Sequence, residues 1–132
     1  MPGKSTAANH AKVLEDAVAD LAEGLELEVK HQVRVGRRLW GSERKIDLVL
    51  RDSVQRKSIG IECKYQGVSG SVDEKIPATI ADIAAWPIPG LVVFQGEGFS
   101  QNMRSYLLST GRAVHFDDLE AWLRLFFGLP LP

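Results

Sequence analysis

Residues Ile59 to Gln66, with the sequence IGIECKYQ, place an acidic and a basic side chain two positions apart in an apolar segment. Side chains of a strand alternate between its faces, so Glu62 and Lys64 share one face and Cys63 lies on the other. A carboxylate can bind a divalent cation, and an ammonium group can position water or offset negative charge. The segment is therefore a candidate for metal-assisted hydrolysis.

The Glu-x-Lys spacing is not specific by itself, because the chain contains it elsewhere. Local context explains the other occurrences as surface or helix-terminus charges, in an alternating strand, a Gly/Ser-flanked loop and a helix-start turn. They are Glu28/Lys30, Glu43/Lys45 and the related Asp73/Lys75. Glu62 differs because apolar residues flank it, and Gly60 on its face indicates a close approach to the backbone.

A second carboxylate, Asp47, interrupts a neighbouring apolar run. If residues 46–50 and 58–64 form a hairpin centred between positions 54 and 55, Asp47 pairs with Glu62 at roughly 5 Å. Two carboxylates at that separation need a cation, and an open set of oxygen ligands suits Mg²⁺. The alternative is an exposed hairpin whose acids pair with neighbouring Arg and Lys side chains.

Hydrophobic periodicity predicts nine elements in the order α-β-β-β-α-β-α-β-α. The predicted spans are a helix over 7–23, strands over 25–35, 46–50 and 58–64, a helix from about Pro77 to Trp86, a strand over 91–94, a helix over 100–109, a strand over 113–116 and a last helix after Asp117. This order predicts one α/β domain over 1–132, with a mixed sheet flanked by helices and residues 1–4 as a loose tail.

Charge is unevenly distributed along the chain. The net charge is −1, yet residues 30–64 hold ten Lys/Arg against four Asp/Glu. A phosphate-facing patch and a solvated charged face both fit this distribution. A single cysteine excludes an intrachain disulfide, and no apolar run approaches the ~20 residues of a membrane span. We therefore expect a cytoplasmic protein.

The order of acids and elements resembles the PD-(D/E)xK nuclease superfamily. The matching features are Asp47, then Glu62-Cys63-Lys64 at the end of the next strand, then a helix and an apolar strand. Residues 14–24, LEDAVADLAEG, are similar to the first helix of that family, in which an acid, here Glu15, often faces the site. The resemblance covers about residues 10–95 and implies a restriction-endonuclease-like core, αβββαβ followed by α-β-α. It departs from the family at Ile46, which stands in place of Pro.

The resemblance implies a Mg²⁺-dependent DNA endonuclease of prokaryotic or phage type. Asp47, Glu62 and the backbone carbonyl of Cys63 would bind the ion, for which Mn²⁺ would substitute, and Lys64 would assist the attacking water. Gln66 and Glu15 would have secondary positioning roles. Basic residues ahead of Asp47 would contact flanking phosphates: Arg37, Arg38, Arg44 and Lys45.

A non-catalytic nucleic-acid-binding subunit with a nuclease-type fold is the alternative function. The complete set of Asp47, Glu62 and Lys64 argues against it, since an inactive relative would be free to lose one of the three. The kind of DNA substrate is not predicted, because no helix-turn-helix, zinc finger or aromatic stacking platform is recognisable.

The C-terminal segment LEAWLRLFFGLPLP predicts a homodimer. Leu125, Phe127 and Leu129 have no obvious partner in the core of so small a domain, and exposed Leu and Phe side chains usually mark an interface. The alternative is that this segment folds back over the core of the monomer.

Overall fold

The computed structural model describes residues 2–37, 41–67 and 72–132, which form five strands and four α-helices. The elements are α1 (Pro2–Gly24), β1 (Glu28–Arg37), β2 (Glu43–Asp52), β3 (Lys57–Tyr65), α2 (Val72–Ala84), β4 (Gly90–Gln95), α3 (Gln101–Ser109), β5 (Ala113–His115) and α4 (Leu119–Phe127), with a 3₁₀ turn at Phe116–Asp118. Their order is the predicted one.

The five strands form a single mixed sheet in the order β1-β2-β3-β4-β5. The first three strands are antiparallel to one another, and β4 and β5 continue parallel to β3. Antiparallel neighbours can be joined by short turns, whereas parallel neighbours need a crossover, and α2 and α3 supply the two crossovers. The α/β fold with a restriction-endonuclease-like core is therefore confirmed.

Helices cover both faces of the sheet. Leu14 and Val18 of α1 and Leu119 and Leu123 of α4 are buried against one face, together with Leu48 of β2. The opposite face is covered by α2 and α3 through a second set of buried residues, which includes Ile76, Ile83, Phe94 and Leu107. Within the described ranges, no helix is both long enough and apolar enough to cross a membrane.

The predicted register of the β2–β3 hairpin is confirmed over residues 48–52 of β2, whereas the predicted Asp47–Glu62 pair is not part of the regular ladder. Leu48 pairs with Ile61, and Asp52 pairs with Lys57 at the end of the hairpin. The turn is closed by the carboxylate of Asp52, whose Oδ1 accepts hydrogen bonds from the backbone N–H groups of residues 54 and 55. Leu48, Ile59 and Ile61 enter the core on the face covered by α1 and α4. A one-residue slip would turn one strand's set of these residues to the opposite face of the sheet.

The helix α2 continues through Pro77, where the sequence predicted a helix start. A proline inside a helix removes one backbone hydrogen bond and disfavours the preceding turn. Here Ile76 and Ile83 lie on the sheet side of α2 and are buried. Burial of this apolar stripe offsets the lost hydrogen bond, so tertiary packing determines where the helix begins.

The N-terminal helix begins at Pro2, so residues 2–4, expected as a loose tail, are helical. Proline suits a first helical position, because its φ is already helical and its missing N–H has no partner there anyway.

The C-terminal segment folds over the core of the monomer at two of the three positions on which the dimer expectation rested. Phe127 is fully buried, and Leu129 is half-buried against the same core. Gln55 donates to the carbonyl oxygen of Phe127 at 2.6 Å, which fixes the end of α4 to the β2–β3 turn. Of the three, Leu125 alone is exposed, at 68%.

Candidate active site

Glu62 and Lys64 line a cleft of about 350 Å³ between β3 and α2. Both side chains are half-buried. The wall supplied by α2 consists of residues that the sequence did not single out for this site: Lys75, Ala78, Thr79 and Asp82. Lys75 had been assigned to a helix-start turn, and its presence here depends on how α2 crosses the sheet, which no local spacing reveals.

Gly60 precedes this pair on β3, and the expected close approach to its backbone is made by Trp86, two residues after the end of α2. A Cβ atom at position 60 would lie 2.7 Å from Cζ3 of Trp86. The Trp86 indole therefore fills the space above the strand, and Glu62 begins the open part of the cleft. The indole N–H donates to Asp82 Oδ2 at 3.2 Å, so this buried ring is linked to a residue that lines the cleft.

Asp47 lies where the regular pairing of β2 ends on the β3 side. The ladder with β3 stops at Leu48 and Ile61, and beyond it Asp47 Oδ2 accepts a hydrogen bond of 3.0 Å from the Cys63 N–H. On the β1 side the register sets Gln32 opposite Asp47, and Gln32 has a left-handed φ of 50°. The Asp47 carboxylate thus replaces a strand hydrogen bond and is held beside the backbone of the Glu-x-Lys segment.

The alternation of β2 also reverses at Asp47. Ile46 and Val49 both pack on the α2/α3 face, whereas Leu48 packs on the α1/α4 face. A regular strand would place Ile46 and Leu48 together. Because the alternation of β2 is interrupted at Asp47, the Asp47 carboxylate can lie between the two layers of helices.

Glu15 of α1 comes into contact with Asp47. Burial, followed by the negative charge of Asp47, raises the pKa of Glu15. Gln32 donates to Glu15 Oε1 at 3.2 Å and helps to hold it there. Two carboxyl groups in contact are stabilised by a shared proton or by a cation.

The charged side chains surround Cys63. Burial raises the pKa of the Cys63 thiol, the carboxylates of Asp47, Glu15 and Glu62 raise it further, and the ammonium group of Lys64 lowers it. Three acids and one lysine therefore act on one point at the carboxyl end of β3. The thiol itself is buried in the apolar core and protonated, which fits a packing role.

Gln66 is buried, and it joins the end of β3 to the loop after β4. Its side-chain Nε2 donates to the Gly98 carbonyl oxygen, and the Gly98 N–H donates to the Gln66 carbonyl oxygen, each at 2.7 Å. Through these two bonds, Gln66 connects the end of β3 to the loop after β4. The water-positioning role expected for it remains a prediction.

The basic residues ahead of Asp47 have different surroundings. Arg44 donates to Asp82 at 2.9 Å, and both side chains are mostly buried, at 22% and 14% exposure. Lys45 forms an exposed ion pair of 3.3 Å with Glu43, and Arg37 donates to the Gly41 carbonyl oxygen. Arg38 lies outside the described residues.

Comparison with known families decides the relationship of this chain. A PD-(D/E)XK nuclease superfamily domain matches residues 6–121, which is most of the sequence. The chain belongs to the PD-(D/E)XK nuclease superfamily. Membership is consistent with a nuclease-type function. The roles of Asp47, Glu62 and Lys64 remain predictions.

The fold has a structural counterpart. The crystal structure of a protein of unknown function, AF1548, superimposes with a TM-score of 0.53 at 20% sequence identity. The match covers 77% of this chain and 56% of that one, so this chain spans little more than half of its counterpart. No match was found among curated proteins.

Nucleases of the PD-(D/E)XK superfamily typically use a divalent metal. The donor set at this site fits such an ion if water molecules supply the remaining ligands. Among the residues described, no group of three or more His, Cys, Asp or Glu side chains is arranged to hold a metal ion. The predicted set has two carboxylates and one carbonyl oxygen, and Mg²⁺ commonly keeps several water ligands. The observation that favours a cation is the Asp47 carboxylate, which the Cys63 N–H holds beside the Glu62-Cys63-Lys64 segment.

Proposed function

We propose that this protein is a metal-dependent endonuclease that hydrolyses DNA phosphodiester bonds. The observation that carries the proposal is the placement of Glu62 and Lys64 in the cleft between β3 and α2, with the Asp47 carboxylate hydrogen-bonded to the N–H of the intervening Cys63. Membership of the nuclease superfamily supports the same reaction class.

Asp47, Glu62 and the carbonyl oxygen of Cys63 would hold Mg²⁺, or Mn²⁺ in its place. Such an ion, when bound, polarises a scissile phosphate and lowers the pKa of a coordinated water. The backbone N–H of Cys63 orients the Asp47 carboxylate through Oδ2. Glu15 adds charge to the same point, and we assign it a positioning role through its contact with Asp47.

Lys64 has the role of orienting the attacking water and offsetting charge on the phosphoryl group. Its ammonium group lies in the cleft with Glu62, where the half-buried surroundings strengthen electrostatic interactions relative to bulk water. Lys75 lies in the same cleft and adds positive charge near the position of a bound phosphate. A polyanionic substrate is therefore attracted to a site that also contains the acids.

The flanking DNA phosphates are proposed to contact Arg37 and Lys45, which are exposed on β1 and β2. Arg44 is also assigned to the DNA-facing side, but its ion pair with Asp82 links β2 to α2 as well. We therefore expect its substitution to affect both folding and binding. Arg38 stays in the proposed set on the basis of its sequence position.

A nicking assay on supercoiled plasmid tests this function directly. Mg²⁺ should support cleavage and EDTA should abolish it. Asp47→Asn preserves an acceptor for the Cys63 N–H but removes the charge, and we expect it and Glu62→Ala to be folded and inactive. Glu28→Ala, an exposed acid from another Glu-x-Lys sequence, is the matched control and should cut normally. Near wild-type cleavage by either site variant would show that the site is elsewhere.

A non-catalytic DNA-binding subunit is the second candidate. It would use the same exposed basic residues, Arg37 and Lys45, and would differ from the first candidate only in the absence of catalysis. The same plasmid assay separates the two functions when DNA binding is measured in parallel. Binding that survives with no cleavage in either Mg²⁺ or Mn²⁺ supports the second candidate.

A further inference from the structure

A second cavity, of about 580 Å³, lies at the carboxyl ends of the three parallel strands. Tyr65, Gln95 and His115 line it and are the last residues of β3, β4 and β5. We call this cavity the aromatic pocket. In open α/β sheets, ligands bind in the crevice outside the carboxyl ends of the strands. The pocket therefore occupies a position suited to binding.

Rings of different elements converge on the aromatic pocket. His10 of α1 lies against Tyr65, with ring centroids 4.6 Å apart and planes inclined at 56°. On the far side, His115 Nδ1 accepts a hydrogen bond from the Asp117 N–H at 3.1 Å, which fixes the orientation of the imidazole. Planar walls of this kind suit a flat aromatic ligand, since bases stack on such side chains.

The polar groups of the aromatic pocket favour a neutral ligand with amino groups over a phosphate. Glu97 and Asp117 contribute two carboxylates, against one guanidinium from Arg104. Arg104 already donates to the Gly96 carbonyl oxygen at 3.1 Å. Carboxylates repel a phosphate but accept hydrogen bonds from the exocyclic amino group of cytosine, and adenine offers a similar donor.

The aromatic pocket and the α2 cleft meet at the carboxyl end of β3 from opposite faces of the sheet, because consecutive strand residues point in opposite directions. Lys64 lines the α2 cleft, and Tyr65 lines the aromatic pocket. A DNA strand with its phosphate at Glu62 and Lys64 would place a base in this pocket by turning around the carboxyl end of β3. A base can reach the pocket only if it has left the duplex stack, which costs least when the base is unpaired.

We propose that the aromatic pocket binds an unpaired amino-bearing base, cytosine or adenine, next to the scissile phosphate. The inference rests on the proposed nuclease function for the position of the phosphate. It specifies the substrate class as DNA with an unpaired base, such as a single-nucleotide bulge, in preference to fully paired duplex.

Fluorescence anisotropy in EDTA tests the pocket without requiring catalysis. The probes are a labelled duplex with one bulged cytosine, the same duplex with an abasic residue at the bulge, and the fully paired duplex. Loss of one stacked base typically weakens binding roughly five- to hundredfold, so the abasic probe should bind that much more weakly than the cytosine probe. Plasmid or oligonucleotide cleavage in Mg²⁺ is measured separately.

Substitution of the two aromatic residues should remove the difference in affinity between the two bulged probes. The double variant His10→Ala/Tyr65→Leu removes both rings of α1 and β3, and Tyr106→Leu is the matched control, because Tyr106 is exposed on α3 outside the pocket. His10→Ala alone, at an exposed position, serves if the double variant does not fold, and it should reduce the difference.

Equal affinity of the wild-type protein for the cytosine and abasic probes overturns the proposal. A difference in affinity that persists in both ring variants also overturns it. Binding of neither probe also overturns it. A binding difference that disappears in the ring variants while no probe is ever cut supports the pocket and rejects the nuclease function. Cleavage of all probes with equal binding rejects the pocket alone.

Discussion

Lys64 and Lys30 occupy equivalent positions in two Glu-x-Lys sequences but have different surroundings. Lys64 is half-buried in the cleft with Glu62, whereas Lys30 is exposed on the edge strand β1. An ammonium group in a partly desolvated site interacts more strongly with developing charge than one in bulk water. This difference in environment makes Lys64 the candidate for catalysis.

We predict that Lys64→Met slows DNA cleavage by roughly two to four orders of magnitude, the range for a positioned proton-transfer or charge-stabilising group. Single-turnover rates in Mg²⁺ measure the effect. Lys30→Met is the control and should cut at close to the wild-type rate. An equal loss of rate in both variants would contradict the choice of the Glu62/Lys64 segment.

The raised pKa of Glu15 predicts how the stability of the fold depends on pH. The folded protein holds its proton more tightly than the unfolded chain, because burial and Asp47 raise its pKa above the ordinary value of 4.5. The protonated group therefore favours folding below pH 4.5, and this contribution is lost as the pH rises through the raised pKa. The charged Glu15 carboxylate then destabilises the fold at neutral pH.

Glu15→Gln, which can still accept the hydrogen bond from Gln32, should raise the melting temperature at pH 7 in EDTA and have little effect at pH 4. Thermal unfolding at both pH values measures this. Asp20→Asn, an exposed acid on the same helix, should show no such pH dependence. If Glu15→Gln does not stabilise the protein at pH 7, the contact with Asp47 is not repulsive.

At the scale of elements, α2 packs directly on the backbone of β3 and β4. A Cβ at Gly90 would lie 2.4 Å from Cγ2 of Ile83 and 2.8 Å from Cε3 of Trp86. Gly60 is equally close to the Trp86 indole. Two glycines on adjacent strands thus let α2 approach the sheet, which brings its polar residues to the wall of the cleft.

Gly90→Ala should destabilise the protein by about 1–3 kcal/mol, because Ile83 and Trp86 must both move. Urea unfolding followed by circular dichroism measures the change. Gly24→Ala is the matched control, since a Cβ at Gly24 meets no atom within 4 Å. An unchanged midpoint in Gly90→Ala would mean that α2 adjusts its position at no cost.

At the scale of the molecule, the positive charge is concentrated between residues 30 and 64, on β1, β2 and β3. One copy of this patch offers few phosphate contacts, and affinity for DNA grows with the number of phosphates neutralised. A two-fold dimer would double the patch and present one site to each strand of a duplex. The homodimer therefore remains our proposal, although Phe127 belongs to the core of the monomer.

The exposed side chain of Leu125 on α4 is the residue through which we propose that the dimer forms. Light scattering at micromolar concentration should give a dimer mass for the wild-type protein and a monomer mass for Leu125→Asp. Val54→Asp is the control: Val54 is 91% exposed at the tip of the β2–β3 turn. A monomer mass for the wild-type protein would exclude the dimer at this concentration.

The sequence by itself determined the order of the elements, the register of the β2–β3 hairpin and the family. Side chains of a strand alternate with a period of two, so only one register buries Leu48 together with Ile61. The same alternation separated Glu62 and Lys64 from Cys63. These are local properties of the chain, and hydrophobic burial enforces them.

Only the tertiary structure decided which distant residues meet. Glu15 reaches Asp47 because α1 packs on the sheet, and Asp82 reaches the cleft because Gly60 and Gly90 admit α2. The helix passes through Pro77, and Phe127 enters the core, because apolar burial outweighs local preference. Contacts between residues far apart in sequence depend on how whole elements pack, and periodicity within one element carries no information about that.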